Sequence, residues 1–225
     1  MASFKLRPTF SWVYALTLSV GMASALLSAP AALAQAFPNK AIRLVCPFPP
    51  GGAVDIASRA IALELSKNLG QPVTVDNKPG AGGRIALEAV KNSDADGATL
   101  VLTPASMVAV YPHIYRKLPY DPVTDFAPVG RVAAASFILA IGPQVPAEVK
   151  TLGDFIKWGK ANPTLASYGS SGAGSIPHFT GVALGKAAAL DWSHVAYKGA
   201  APAINDLLGG QIAANVSVMS NALSH

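Results

Sequence analysis

The sequence predicts an α/β fold of two lobes with mainly parallel sheets. From Ala41 onward, short apolar runs alternate with segments of helical period. That alternation occurs twice, before and after a proline-rich interruption, without sequence repetition. Three Gly/Ser-rich stretches fall where strands hand over to helices, the places where parallel sheets bind ligands.

Residues 1–36 stand outside this pattern. Lys5 and Arg7 form a basic start, an apolar stretch runs from Trp12 to Leu27, and the run "AALAQA" ends in overlapping A-x-A sites. This is a secretory signal peptide, with cleavage expected after Ala34 or Ala36 and export to the periplasm. Taking residues 1–36 from 225 leaves 189, enough for one large or two small domains. Losing Lys5 and Arg7 leaves 15 basic against 12 acidic side chains, a small and scattered surplus that excludes nucleic acid as a partner.

The elements follow in order. "AIRLVCPF" is nearly continuous in apolar residues, as a strand covered on both faces requires. Ile56, Ala60/Ile61, Leu65 and Leu69 then recur at helical spacing, and Gly70 ends that helix. "PVTVDN" (72–77) is a second strand, "GGRIALEAVKNS" (82–93) a second helix and "ATLVLTPA" (98–105) a third strand. Four prolines make "YPHIYRKLPYDPVTDFAPVG" (111–130) an irregular connection. "VAAASFILAIG" (132–142) reads as a strand crossing into the second lobe. There, helix 151–162, strand 164–170, a helix through Thr180 to Ala189, strand 193–199, helix 201–210 and strand 212–219 complete the pattern. The expected division is 1–36 signal peptide, 37–131 lobe one and 132–225 lobe two. Cys46, the single cysteine, cannot form an internal disulfide and reads as a buried inert thiol.

Three loops carry the candidate chemistry: "PFPPGGAVD", "YGSSGAGSIPH" and "YKGAAPA". Each can turn backbone N–H groups toward a cleft and each precedes a helix whose dipole favours an anion. In the first, Gly51, Gly52 and Ala53 are the expected donors. Asp55 either complements the helix dipole or receives an amino or hydroxyl group of a ligand.

Other chemistries lack their residues. No G-x-x-x-x-G-K-[ST] occurs, and "PGAGGRIA" lacks the third glycine of a dinucleotide fingerprint. "YGSSGAG" misses the G-x-S-x-G spacing, because Gly172 comes one residue early, so a secreted α/β hydrolase using Ser171 is the alternative from another class. The histidines at 113, 178, 194 and 225 have no metal-ligand spacing, and neither cofactor nor metal is expected.

The block "PFPPGGAVDIASRAIALELSKNLGQPVTVDNKPGAGGRIALEAV" closely resembles the start of the substrate receptors of tripartite tricarboxylate transporters, the Bug proteins. "LPYDPVTDFAPVG", "YGSSGAGSIPH", "HVAYKG" and "AINDLLGGQI" match further blocks of that family in order, so the resemblance spans essentially residues 37–225. It implies a periplasmic-binding-protein-like fold whose lobes close on a small carboxylate: a di- or tricarboxylate, an acidic amino acid or an aromatic acid. It implies, as partners, the membrane permease subunits of the transporter or a sensor, and a monomeric receptor that is not an enzyme.

Carried onto this sequence, the resemblance assigns ligand contacts to Phe48, Gly51, Gly52, Asp55 and Ser106 from lobe one. Ser170, Ser171, Gly172, Ser175, His178, Tyr197, Gly199 and Ala200 follow from lobe two. It also implies a grip made of amides, hydroxyls and water rather than an arginine. Gly181, where many relatives carry an acid, and Ala196, in place of a common proline, are departures expected to alter ligand shape preference. The family pattern further leads us to expect C-terminal truncation, with about a hundred residues missing by analogy. A truncated, non-functional receptor fragment is accordingly a further alternative.

Overall fold

The computed structural model describes residues 37–223. The expected signal peptide lies outside them. Two sheets organise the chain. The first holds β1 (Ile42–Cys46), β2 (Val73–Asn77) and β3 (Thr99–Val101) in the order β2-β1-β3. All are parallel, with Ile42 opposite Val73 and Leu44 opposite Leu100. The second holds β4 (Phe137–Ile141), β5 (Ser167–Ser170), β6 (Ser193–Ala196) and β7 (Ala214–Val218) in the order β4-β7-β5-β6. There β5 is parallel to both neighbours, while β4 runs antiparallel to β7.

Each sheet carries its own core. Phe48, Leu87, Met107, Tyr111 and Tyr120 pack together beside the first. Phe155, Tyr168, Leu190, Ala214 and Val216 form the centre of the second, with Trp158 and Trp192 packed on them. Fully burying a side chain of this size contributes about 1.5–3 kcal/mol, so each sheet has a substantial hydrophobic anchor of its own. Cys46 is buried in β1, where burial pushes its thiol pKa up, as the inert reading requires.

The helices are α1 (Ala53–Leu69), α2 (Arg84–Lys91), α3 (Tyr111–Ile114), α4 (Leu152–Ala161), α5 (Ile176–Ala188) and α6 (Ala200–Leu208). Gly70 closes α1 in the left-handed conformation with its N–H on Ser66 O. Thr151 and Asp154 form a reciprocal capping box at α4, and Ser175 caps α5.

Four sequence expectations need correction. The strand expected from residue 132 begins at Phe137, because 131–136 is exposed and has no neighbouring strand. It forms an antiparallel edge of the second sheet rather than a parallel one. The connection after β3 is partly helical: a π-helical turn, Ser106–Val110, runs into α3, with Pro112 tolerated in the first turn. Finally, α1 buries Asp55, Ser58 and Ala62 and leaves Ile56 and Leu63 about 60% exposed. Its most buried positions are small or polar, while Val54, Ile61, Leu65 and Leu69 are half-buried.

Candidate functional site

The first Gly-rich loop follows β1 and is held from below by a polar cluster. Asp55, only 3% exposed, accepts from Gly51 N at 3.0 Å and Arg59 Nε at 3.0 Å through Oδ2. Its Oδ1 accepts from Arg59 Nη2 at 3.0 Å and Asn77 Nδ2 at 2.9 Å. Asn77 Nδ2 also donates to Phe48 O, which ties both ends of the loop to the end of β2. Burial raises the Asp55 pKa, but the donors Arg59, Gly51 and Asn77 together outweigh it and hold it below the ordinary 3.8. Gly51 takes φ +92°, a conformation that suits glycine, and this turns its N–H back onto Asp55.

These bonds bear on two expectations. Asp55 offers no carboxylate oxygen that lacks a partner within the chain. Nor do Gly51 and Ala53 offer free amides: Gly51 N donates to Asp55, and Ala53 N donates to Asn221 Oδ1 at 2.9 Å. Among the described residues, the Gly52 N–H forms no hydrogen bond.

The loop between β5 and α5 is a second self-tied turn. Ser170 Oγ, fully buried, lies 2.7 Å from His194 Nε2 and 3.1 Å from Gly172 O. Ser175 Oγ donates to Gly172 O at 2.7 Å, and His178 Nδ1 accepts from Gly174 N at 3.1 Å. The His178 and His194 rings stack with centroids 4.0 Å apart. Burial, and secondarily the neighbouring His178, pushes His194 down to about 4, so both rings are neutral near pH 7.

A serine–histidine contact thus exists, but on Ser170 rather than Ser171. Ser170 is inaccessible, and among the described residues no carboxylate bonds His194. Among the described residues Ser171 Oγ has no imidazole partner that would activate it as a nucleophile. Ser170, Ser175 and His178 hold the loop in shape, each side chain bonding a backbone atom of Gly172 or Gly174.

The loops meet across the two sheets. Tyr115 Oη donates to Ala173 O at 3.1 Å, and Tyr111 Oη donates to Gly82 O at 2.9 Å. A Cβ on Gly172 would stand 3.5 Å from Gly82 Cα. One on Gly199, which takes φ +116°, would stand 3.0 Å from Pro49 and 3.4 Å from Phe48. Gly199 N in turn donates to Ser171 O, which joins the second and third Gly-rich loops. Phe48, Gly52, Ser171, Gly172, Gly199 and Ala200 therefore belong to one ring of loops at the carboxyl ends of the strands. Ser171 Oγ and the amides of Gly52 and Ala200 form no hydrogen bonds among the described residues.

Ser106 and Tyr197 are placed differently. Ser106 is buried at the start of the π-helical turn, and Tyr197 Oη donates to Asp206 at 2.7 Å. Gly181 is a packing residue: a Cβ there would fall 2.2 Å from the Tyr168 ring. A separate cavity of about 450 Å³ lies between α5 and β6, lined by Tyr168, His178, Lys186, Trp192 and His194 among others. None of the loop residues that meet across the sheets lines it.

The residues sequence reasoning missed are Asn77, Arg59, Tyr111, Tyr115, Arg84 and Asn221. The signal for several of them was present in "DNKPGAGGR", a fourth Gly-rich loop that follows β2 and approaches the β5–α5 loop through Gly82.

Two α/β sheets whose strand-end loops meet form a fold of the periplasmic-binding-protein type. Residues 57–224 match the profile of the tripartite tricarboxylate transporter family receptor, and the chain belongs to that family. Over 217 residues it is 34% identical to protein BugT of Bordetella pertussis, covering 92% of this chain and 63% of that protein. The solved structure of a periplasmic transporter superposes with TM-score 0.79 at 40% identity, covering 84% of this chain and 63% of that one. The Rpa4515 protein of R. palustris, solved with adipate, gives TM-score 0.80 at 31% identity, with 84% and 62% covered. The chain thus spans a little under two thirds of the length of these relatives.

Proposed function

We propose that the ring of loops captures a small carboxylate, and that the receptor to which this chain corresponds presents it in the periplasm to the membrane subunits of a tripartite tricarboxylate-type transporter or to a sensor. The observation that carries this reading is the meeting of the β1–α1 and β2–α2 loops with the β5–α5 and β6–α6 loops, with Ser171 Oγ and the Gly52 and Ala200 amides left without partners among the described residues. The lobes are residues 37–131 and 132–225, and the exposed strip 131–136 is the connection about which they move. The adipate in Rpa4515 supports an organic acid as the ligand class.

The remaining donors suffice. Micromolar affinity corresponds to about 8 kcal/mol, and each hydrogen bond to a charged group contributes about 1.5–3 kcal/mol. Three such bonds with the positive ends of α1 and α6 reach the right order, the helix term adding about 1 kcal/mol. Titration calorimetry of the chain without residues 1–36 against adipate, succinate, malate, citrate, glutamate and benzoate tests the reading. Saturable binding of at least one acid, weakened by Ser171→Ala, is expected. A cooperatively folded protein that binds none of them would overturn it.

A further inference from the structure

Among the described residues, the half-buried Arg84 carries a guanidinium nitrogen, Nη1, that is itself buried and to which the chain supplies no hydrogen-bond partner. It opens α2, directly after the Gly80–Gly83 turn. Its guanidinium lies over the Tyr115 ring, with Cζ 3.9 Å from the centroid, and its Nη1 is buried without a hydrogen bond. Among the described residues it forms no ion pair. Arg43 and Arg59, by contrast, each reach a carboxylate and a neutral oxygen. Leaving a charged donor dry and unpaired is costly, so such groups are normally matched.

Its position relates it to the ring of loops. Tyr115, which carries the guanidinium on its face, is the residue whose hydroxyl bridges to Ala173 of the opposite loop. Gly82, two residues before Arg84, lies beside Gly172 and accepts from Tyr111. A planar guanidinium held by a tyrosine face presents its edge as a fork, which matches a carboxylate better than a lysine would.

We propose that Arg84 receives the second carboxylate of a dicarboxylate ligand and thereby sets a preference for di-acids over mono-acids. The first carboxylate sits at Gly52 and Ser171. This inference rests on the carboxylate-binding reading above, and it departs from the arginine-free grip that the family resemblance implies.

The test uses adipate and hexanoate, of equal chain length and differing in one carboxylate, titrated into the wild type, Arg84→Gln and Arg84→Lys. The wild type is expected to prefer adipate by roughly tenfold to a hundredfold, as one charge-assisted contact implies. Arg84→Gln should bring the two acids within about twofold, a near-equal pair in affinity arithmetic. Arg84→Lys, with the charge but not the fork, should fall between them. Phenylglyoxal modification of the wild type, mapped by peptide mass, gives a readout independent of variant folding: adipate should protect Arg84 and hexanoate should not. An unchanged acid preference in Arg84→Gln, or equal protection by both acids, would overturn the Arg84 assignment alone. Absence of saturable binding of any acid to the folded wild type would overturn it together with the carboxylate reading.

Discussion

The side-chain oxygen of Asn221 accepts the backbone N–H of Ala53 at 2.9 Å. This bond joins the turn after β7, in the second sheet, to the first residue of the helix that follows β1 in the first. An amide that local reasoning assigns to a ligand is thereby satisfied by a residue 168 positions away.

Asn221→Ala should free that amide and cost about 1 kcal/mol of stability, the usual worth of a capping hydrogen bond. Asn221→Asp should restore it through a helix-dipole interaction that weakens with salt. Urea denaturation at low and high ionic strength separates the two variants.

Asp55→Ala should be more damaging, on the order of 2 kcal/mol, since it strips acceptors from Gly51, Arg59 and Asn77. The exposed part of Arg59 can rehydrate, which keeps the loss below that of a fully buried pair. Because the Asp55 pKa is depressed, its contribution is complete above 3.8 and is lost as pH falls through the lower folded value. Acid titration of the melting temperature should show this loss in the wild type and not in Asp55→Asn.

His194 acts over a higher range. Its folded pKa of about 4 lies below the ordinary 6.5, so between these values the unfolded chain binds the extra proton. Stability should be full above pH 6.5 and fall as pH drops toward 4, with a slope of up to about 1.4 kcal/mol per pH unit. His194→Gln should flatten that slope, as measured by urea midpoints across this interval.

Gly199→Ala should impair closure. The added methyl meets Pro49 and Phe48, and the φ of +116° is strained for alanine. A loss of carboxylate affinity of about tenfold, or about 1.4 kcal/mol, is expected by calorimetry. Melting should remain cooperative.

Asn215 is fully buried in β7, and neither its Oδ1 nor its Nδ2 has a partner among the described residues. Asn215→Val removes both unpaired atoms at a strand position suited to a β-branched residue. The variant should be more stable by about 1 kcal/mol in thermal or urea unfolding.

Much of this was legible in the order of residues. The apolar run of β1, the left-handed Gly70 after Leu69, and the Gly/Ser loops at strand ends all depend on local chemistry, and each stands where local pattern puts it. The family blocks from "PFPPGGAVD" to "AINDLLGGQI" are likewise read along the chain. They determined the fold class, and the family comparison agrees with it. The antiparallel edge formed by β4, the buried face of α1, the Ser170–His194 contact and the use of Gly51 and Ala53 amides by Asp55 and Asn221 were decided by tertiary structure alone. The physical reason is range. Periodicity, capping and turn preference act over a few residues and are written in consecutive letters. Which donor meets which acceptor depends on how crossover connections bring separate loops together, and burial then makes each such pairing obligatory.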